Sequence, residues 1–150
     1  MTPLKLIALD KDDIEIISTH LQDAVVKVSD VVWRPTEKRL VLGLNRFDWE
    51  ACGHVSPCLQ RRRTALRFDR VLAFRCRNVN PAAKDAVLNL LAVEFEETNA
   101  PGGTITLIFS GGSALRLEVE CLECELADLG PTWTTSVRPA HIDEQPDGRG

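Results

Sequence analysis

GGTITLIFSGGSALRLEV, residues 102–119, alternates aliphatic and other side chains on both sides of a glycine-rich turn. Ile105, Leu107 and Phe109 fall on one face of the first arm, and Leu115, Leu117 and Val119 on one face of the second. Ser110-Gly111-Gly112-Ser113 supplies the reversal between them. Period-two alternation around a short turn is the pattern of an antiparallel hairpin with one face in a core. The rest of the chain is read outward from this hairpin.

Upstream, Asn99-Ala100-Pro101-Gly102-Gly103 breaks the chain, and both glycine pairs read as turns because no helix follows to present amides to a phosphate. Between Ala86 and Thr98 both faces carry apolar residues, which predicts a strand covered on two sides. Leu66, Phe68, Leu72, Phe74 and Cys76 predict one long strand with a bulge near Asp69-Arg70. Leu40, Leu42 and Leu44 predict another, after a polar turn at Pro35–Lys38. Val25–Val28 and Val31–Arg34 predict two short strands or one bent one. A short opening strand carries Leu4 and Leu6. Asp10 is an N-cap for a helix over residues 11–23, with acidic Asp12, Asp13 and Glu15 at its positive end and Leu9 and Ile14 spaced as a staple. Downstream, Leu122, Leu126 and Leu129 recur at helical spacing before Gly130-Pro131, which predicts a C-terminal helix over 121–129.

The expected class is α+β, mostly antiparallel β. The expected architecture is a strongly bent sheet or partly closed barrel, pleckstrin-homology-like in outline, with an N-terminal helix and a C-terminal capping helix. Residues 1–130 form a single globular domain in this reading, and 131–150, polar and aperiodic, form a flexible tail onto which only Trp133 could fold back.

Composition is that of a globular chain: 44% hydrophobic and 27% charged residues over 150 positions. No stretch approaches the roughly 18 apolar residues of a membrane span, and Met1–Leu9 lacks the basic start and continuous apolar core of a signal peptide. Five cysteines, odd in number and irregularly spaced, read as free thiols in a reducing compartment. Cytoplasmic location and no membrane contact are the expectations. The net charge of −4 is unevenly placed: residues 1–80 hold 14 Lys+Arg against 10 Asp+Glu, and residues 81–150 hold 4 against 12. Seven arginines fall between Arg61 and Arg77, with Asp69 the one acid among them.

Three constellations could carry chemistry. The aperiodic loop Asp48–Gln60 holds Trp49, Cys52, His54 and Cys58, and with Cys121 and Cys124 it contains enough soft ligands for a tetrahedral metal site, although its spacing matches no zinc-finger pattern. The same Cys52, His54 and Cys58 could instead form a nucleophilic thiol site if the neighbouring arginines lowered a thiol pKa. Arg61, Arg62 and Arg63, followed by Arg67, Arg75 and Arg77 at alternating positions, could form a row of guanidiniums for an anion. The blander account is a solvated face in which those arginines pair with acidic neighbours on adjacent strands, such as Glu94, Glu96, Glu118 and Glu120. Nucleic acid is disfavoured by the acidic total, the absence of tyrosine and the lack of aromatics interleaved with the basic residues. His20 and His141 belong to no evident triad, and no phosphate loop, nucleophile elbow or dinucleotide fingerprint is present.

LKLIALDKDDIEIISTHLQDAV (Leu4–Val25), LVLGLNRFDWE (Leu40–Glu50), TALRFDRVLAF (Thr64–Phe74) and GGSALRLEVECLECELADLG (Gly111–Gly130) together resemble the bacterial family known as domain of unknown function 2948. The resemblance spans the chain apart from its tail. It implies a small stand-alone cytoplasmic bacterial protein and carries over no catalytic, cofactor or binding residue. The functional expectation is a non-enzymatic interaction domain without cofactor. It would present Trp49, the 48–63 loop and the arginines to an anionic protein or small ligand. A metal or cysteine enzyme and a nucleic-acid binder are the alternatives, and a homo-oligomer through an exposed sheet edge remains open.

Overall fold

The computed structural model describes residues 3–53, 58, 60–130 and 133–134. In chain order the elements are β1 (Lys5–Ala8), α1 (Lys11–His20), β2 (Val25–Arg34), β3 (Arg39–Phe47), β4 (Gln60–Phe68), β5 (Val71–Arg77), β6 (Val87–Asn99), β7 (Gly102–Phe109), β8 (Ala114–Val119), β9 (Cys124–Asp128) and a two-residue β10 (Trp133–Thr134). Nine strands form one antiparallel sheet in the order β1-β9-β4-β3-β2-β6-β7-β8-β5, and β10 pairs with the start of β4. The period-two rhythm is thus read correctly as a mostly antiparallel β fold with a helix near its start.

The hairpin of residues 102–119 forms as expected, in the register Ile105↔Leu117 and Leu107↔Leu115, with all four side chains buried. Helix α1 is capped as the sequence predicts: the Asp10 carboxylate accepts from the Asp13 amide at 2.9 Å. Asp13 in turn accepts from Leu9 N at 3.0 Å. Ile14 and Ile17 enter the core from this helix. The helix ends at His20, three residues early, and Leu9 is exposed rather than stapled. One apolar cluster joins α1 with inward residues of β2, β3, β4, β6, β7, β8 and β9.

The architecture departs from expectation. The sheet is neither closed nor strongly curled; β1 and β5 are its edges and do not pair with each other. No C-terminal helix is present among the described residues, because residues 124–128 are β9, inserted between β1 and β4. The partly closed barrel and capping helix that defined the pleckstrin-homology-like outline are therefore not met. Leu122, Cys124 and Leu126 are buried at period two, while Leu129, needed for a helical stripe, is 63% exposed. Spacing of four residues satisfies both periods, and pairing with two neighbours decides for strand. Alternation along one strand fixes its inward face but not its neighbours, so closure was not legible.

Bulges account for the remaining differences. In β6 the register shifts between Leu90 and Ala92, so Leu90 faces inward before the bulge, and Val93 and Phe95 after it. The two-sided apolar appearance is this switch of parity, and Leu91 is exposed. A similar shift in β2, between Val26 and Val31, makes one bent strand of the two short candidates. The long strand expected through Asp69-Arg70 is instead two strands. Arg70, at φ 62°, turns the chain from β4 to β5, and Leu72 is exposed. Gly102 and Gly103 are not turn residues but open β7, where a Cβ on Gly103 would overlap the Glu96 carbonyl.

Candidate functional site

On β3 the inward series Leu40, Leu42, Leu44 continues through Arg46, and Asp48 follows it, buried, just beyond the strand. On β4, Phe68, Leu66 and Thr64 continue to Arg62; on β9, Cys124 and Leu126 continue to Asp128. Strand register sets Arg46 opposite Arg62 and Thr64 opposite Asp128. Pleating thus carries two guanidiniums and two carboxylates into one end of the core. The side chains of Arg46, Arg62, Asp48 and Asp128 are each no more than 2% exposed.

Asp128 is the centre of this cluster. Its Oδ1 accepts from Arg46 Nε and from Thr64 Oγ1, each at 2.9 Å. Its Oδ2 accepts from Arg46 Nη2 at 2.9 Å and from the Leu4 amide at 2.7 Å. Arg62 Nε donates to Asp48 Oδ2 at 2.7 Å and lies 3.6 Å from Asp128 Oδ2. Arg62 Nη1 donates to the Gly130 carbonyl, and Arg46 Nη1 to that of Phe47. Arg46 Nη2 also reaches Glu50 Oε1 at 3.2 Å, and His20 Nδ1 of α1 lies 2.7 Å from Glu50 Oε2. Burial is the largest influence on both central groups and opposes the charge of each. The hydrogen bond from Arg46, the Leu4 amide and Thr64 nevertheless hold the Asp128 carboxyl below its ordinary value, and Asp128 with Glu50 and Asp48 holds Arg46 above its own. Both Asp128 oxygens are thus occupied within the protein, in bidentate charge-assisted geometry. The cluster ties Leu4, just before β1, to β3, β4 and β9, and each Asp128 oxygen already accepts two bonds from the protein, which leaves the carboxylate no open position for a substrate.

The candidate arginines are dispersed rather than aligned. Arg62 belongs to the buried cluster. Arg61 lies 4.5 Å over the Phe47 ring, which is 5.4 Å from that of half-buried Trp49, so this much of the 48–63 region does assemble. Arg63 crosses Gly43 to reach Asp30 at 3.0 Å and Asn45 at 3.3 Å, and a Cβ at Gly43 would meet its guanidinium. Arg67 binds Asp69 at 3.0 Å and Glu125 at 2.6 Å. Pairing with acidic neighbours thus holds for Arg67, whose partner Glu125 lies on adjacent β9, but the glutamates named as examples are not the partners of the β4 arginines, because β4 neighbours β3 and β9 rather than β6 or β8. Arg75 and Arg77 lie apart on β5. Their register partners on β8 are Arg116 and Ala114, and among the described residues neither arginine has an ion pair.

Cys52 and Cys58 are joined in a disulfide, which corrects the expectation of five free thiols; Cys76, Cys121 and Cys124 are the free ones. A bonded pair supplies neither a thiolate nucleophile nor thiolate ligands. His54 and His141 lie outside the described residues. Among the described residues no three His, Cys, Asp or Glu side chains are grouped to hold a metal ion. Of the tail, Trp133 and Thr134 pair with Arg61 and Gln60, and the rest of 131–150 lies outside the described residues. A cleft of about 1070 Å³ lies between α1 and β6 over Ile14, Val93 and Leu122, with Glu15, Glu94 and Glu96 on its walls. No described helix is long and apolar enough to cross a membrane.

Sequence reasoning missed Arg46, Thr64 and Asp128, and took Asp48 only as a loop boundary. A signal was available: each occupies an inward position continuing an aliphatic series, where charge is rare unless paired.

The family described as Protein of unknown function (DUF2948) matches residues 4–141, and the chain belongs to it. No curated protein and no solved structure matches the chain.

Proposed function

We propose that this DUF2948 chain is a non-enzymatic interaction domain for an anionic partner, and that its contact surface is the outer face of β5 and β8 rather than the 48–63 loop. The observation that carries this reading is the opposition of Arg75 and Arg116 across the strand pair, with Arg77 two residues along the same face. Directly opposed like charges destabilise a sheet. Arg116 is partly offset by Glu118 at 3.2 Å, whereas Arg75 and Arg77 have no carboxylate partner among the described residues. An anion bridging these forks would relieve the repulsion. Arg62, Arg63 and Arg67 are already neutralised by internal carboxylates, so they add little to such a surface. The Cys52–Cys58 disulfide removes support from the thiol and metal alternatives. Three guanidiniums, one of them offset by Glu118, are also a short footprint for a nucleic-acid backbone, which needs a continuous basic track.

Retention on immobilised poly-L-glutamate at increasing salt tests the proposal. The parent chain is expected to be retained at low salt and R75E/R77E to pass through, while K11E/K27E, equal in net charge, behaves like the parent. Equal elution of R75E/R77E and the parent, with both folded by circular dichroism, overturns it.

A further inference from the structure

We infer that the anionic partner is an extended acidic segment that joins the sheet as an added strand along β5. This rests on the function proposed above and deepens it. β5 is the last strand of the sheet, paired only with β8. On its other side, Val71 N donates to the Lys38 carbonyl at 2.9 Å; from Leu72 to Arg77 no backbone bond to a further element is formed among the described residues. Six residues at about 3.3 Å each leave roughly 20 Å of open strand edge. Natural sheets blunt such edges with charged side chains, bulges, proline, short length or a covering element, because bare amides and carbonyls template pairing with another chain. β5 has a bulge after Val71, the Pro35–Glu37 turn against it and two arginines, which turn away like-charged strands but not an acidic one. β5 contains no proline, and at seven residues it outlasts the opposite edge, β1, which has four.

Its side chains select the occupant. Arg75 and Arg77 share the outer face, so residues opposite them in an added strand would share that face and are best acidic. Phe74 and Cys76 are in register with buried Leu117 and Leu115 and face the other way; Phe74 packs 5.8 Å from Trp33. Leu72 nearby is 54% exposed. The residues alternating with the acids are therefore best apolar. The chemistry is a strand of alternating carboxylate and aliphatic side chains, held by main-chain bonds and sorted by charge. A second copy of this chain fits poorly, since two β5 edges would bring arginine rows together.

The experiment uses the whole chain and labelled peptides read by fluorescence anisotropy, with amide hydrogen exchange over Leu72–Arg77. The probes are an alternating Glu/Val peptide, a block peptide of the same composition, an alternating Lys/Val peptide, and the Glu/Val peptide N-methylated at every second residue. The alternating Glu/Val peptide is expected to bind about tenfold or more tighter than the other three and to slow exchange within Leu72–Arg77. R75E/R77E and, as an independent variant, L72K should each weaken it. If block and alternating acidic peptides bind alike with no protection of β5, strand addition is wrong while anion binding survives. If no acidic peptide binds, both readings fail; if the Lys/Val peptide binds equally, the charge selection is wrong.

Discussion

Replacing Asp128 with asparagine should be among the most damaging conservative substitutions in the chain. The side chain keeps its volume but loses its charge, and turns an NH2 toward donors that the carboxylate satisfied: Arg46 Nε or Nη2, Thr64 Oγ1 or the Leu4 amide. Arg46, whose side chain is 1% exposed, keeps at most the single oxygen of the asparagine, the Phe47 carbonyl and, as its one hydrogen-bonded carboxylate, the partly exposed Glu50. Breaking a buried ion pair from one side costs about 3–5 kcal/mol, mostly the uncompensated charge left behind. For a chain of this size each kcal/mol moves the midpoint by about 2–4 °C, so Tm should fall by about 6–20 °C. Thermal and urea melts followed by circular dichroism measure this. The double variant R46M/D128L, which removes both charges, should cost less than D128N alone. Acid sharpens the test. A carboxyl held below its ordinary value of 3.8 contributes stability that is complete above that value and disappears as pH falls through the lower folded-state value. The gap between parent and D128N should therefore stay constant from neutral pH to about 5 and narrow below about 4. A loss under about 1 kcal/mol, or a double variant as damaging as the single, would refute the claim that an unpaired buried charge sets the cost.

Other consequences are simpler. Denatured without reductant, the chain should show three reactive thiols, and five after reduction, by Ellman titration; in the native state the exposed Cys76 should react first. Cys124 should react only on unfolding, because burial drives its thiol pKa far upward and outweighs the opposing pull of Arg67. Replacing Asp10 with alanine removes the acceptor of the Asp13 amide and should lower stability by about 1 kcal/mol in a urea melt, with no loss of sheet signal.

Local patterns were legible and their assembly was not. The cap at Asp10, the hairpin at residues 102–119 and the inward faces of β3 and β7 follow from spacing alone, because a capping carboxylate and a pleated face are properties of a few consecutive residues. The helix placed over 121–129 failed because Leu122 and Leu126 fit either period, and only the neighbouring strands β1 and β4 decide between them. The arginine row holds for Arg75 and Arg77 but does not extend to Arg67, for a related reason. Arg67 and Arg75 have matching parity on paper, but the turn at Asp69-Arg70 sends them to strands with different neighbours. The buried cluster was overlooked because charged residues were assumed to face outward, although Arg46 and Asp128 stand in line with Leu44 and Leu126.

The bond from the Leu4 amide to Asp128 spans 124 positions of sequence. During synthesis β1 has α1 beside it but no strand to pair with until β9 emerges, so its place in the sheet must wait while most of the chain is made. Contacts of such separation slow folding, since a long loop must close before it is rewarded. Arg62 has Asp48 close by in sequence, but any nascent form lacking residue 128 keeps Arg46 without its bidentate carboxylate.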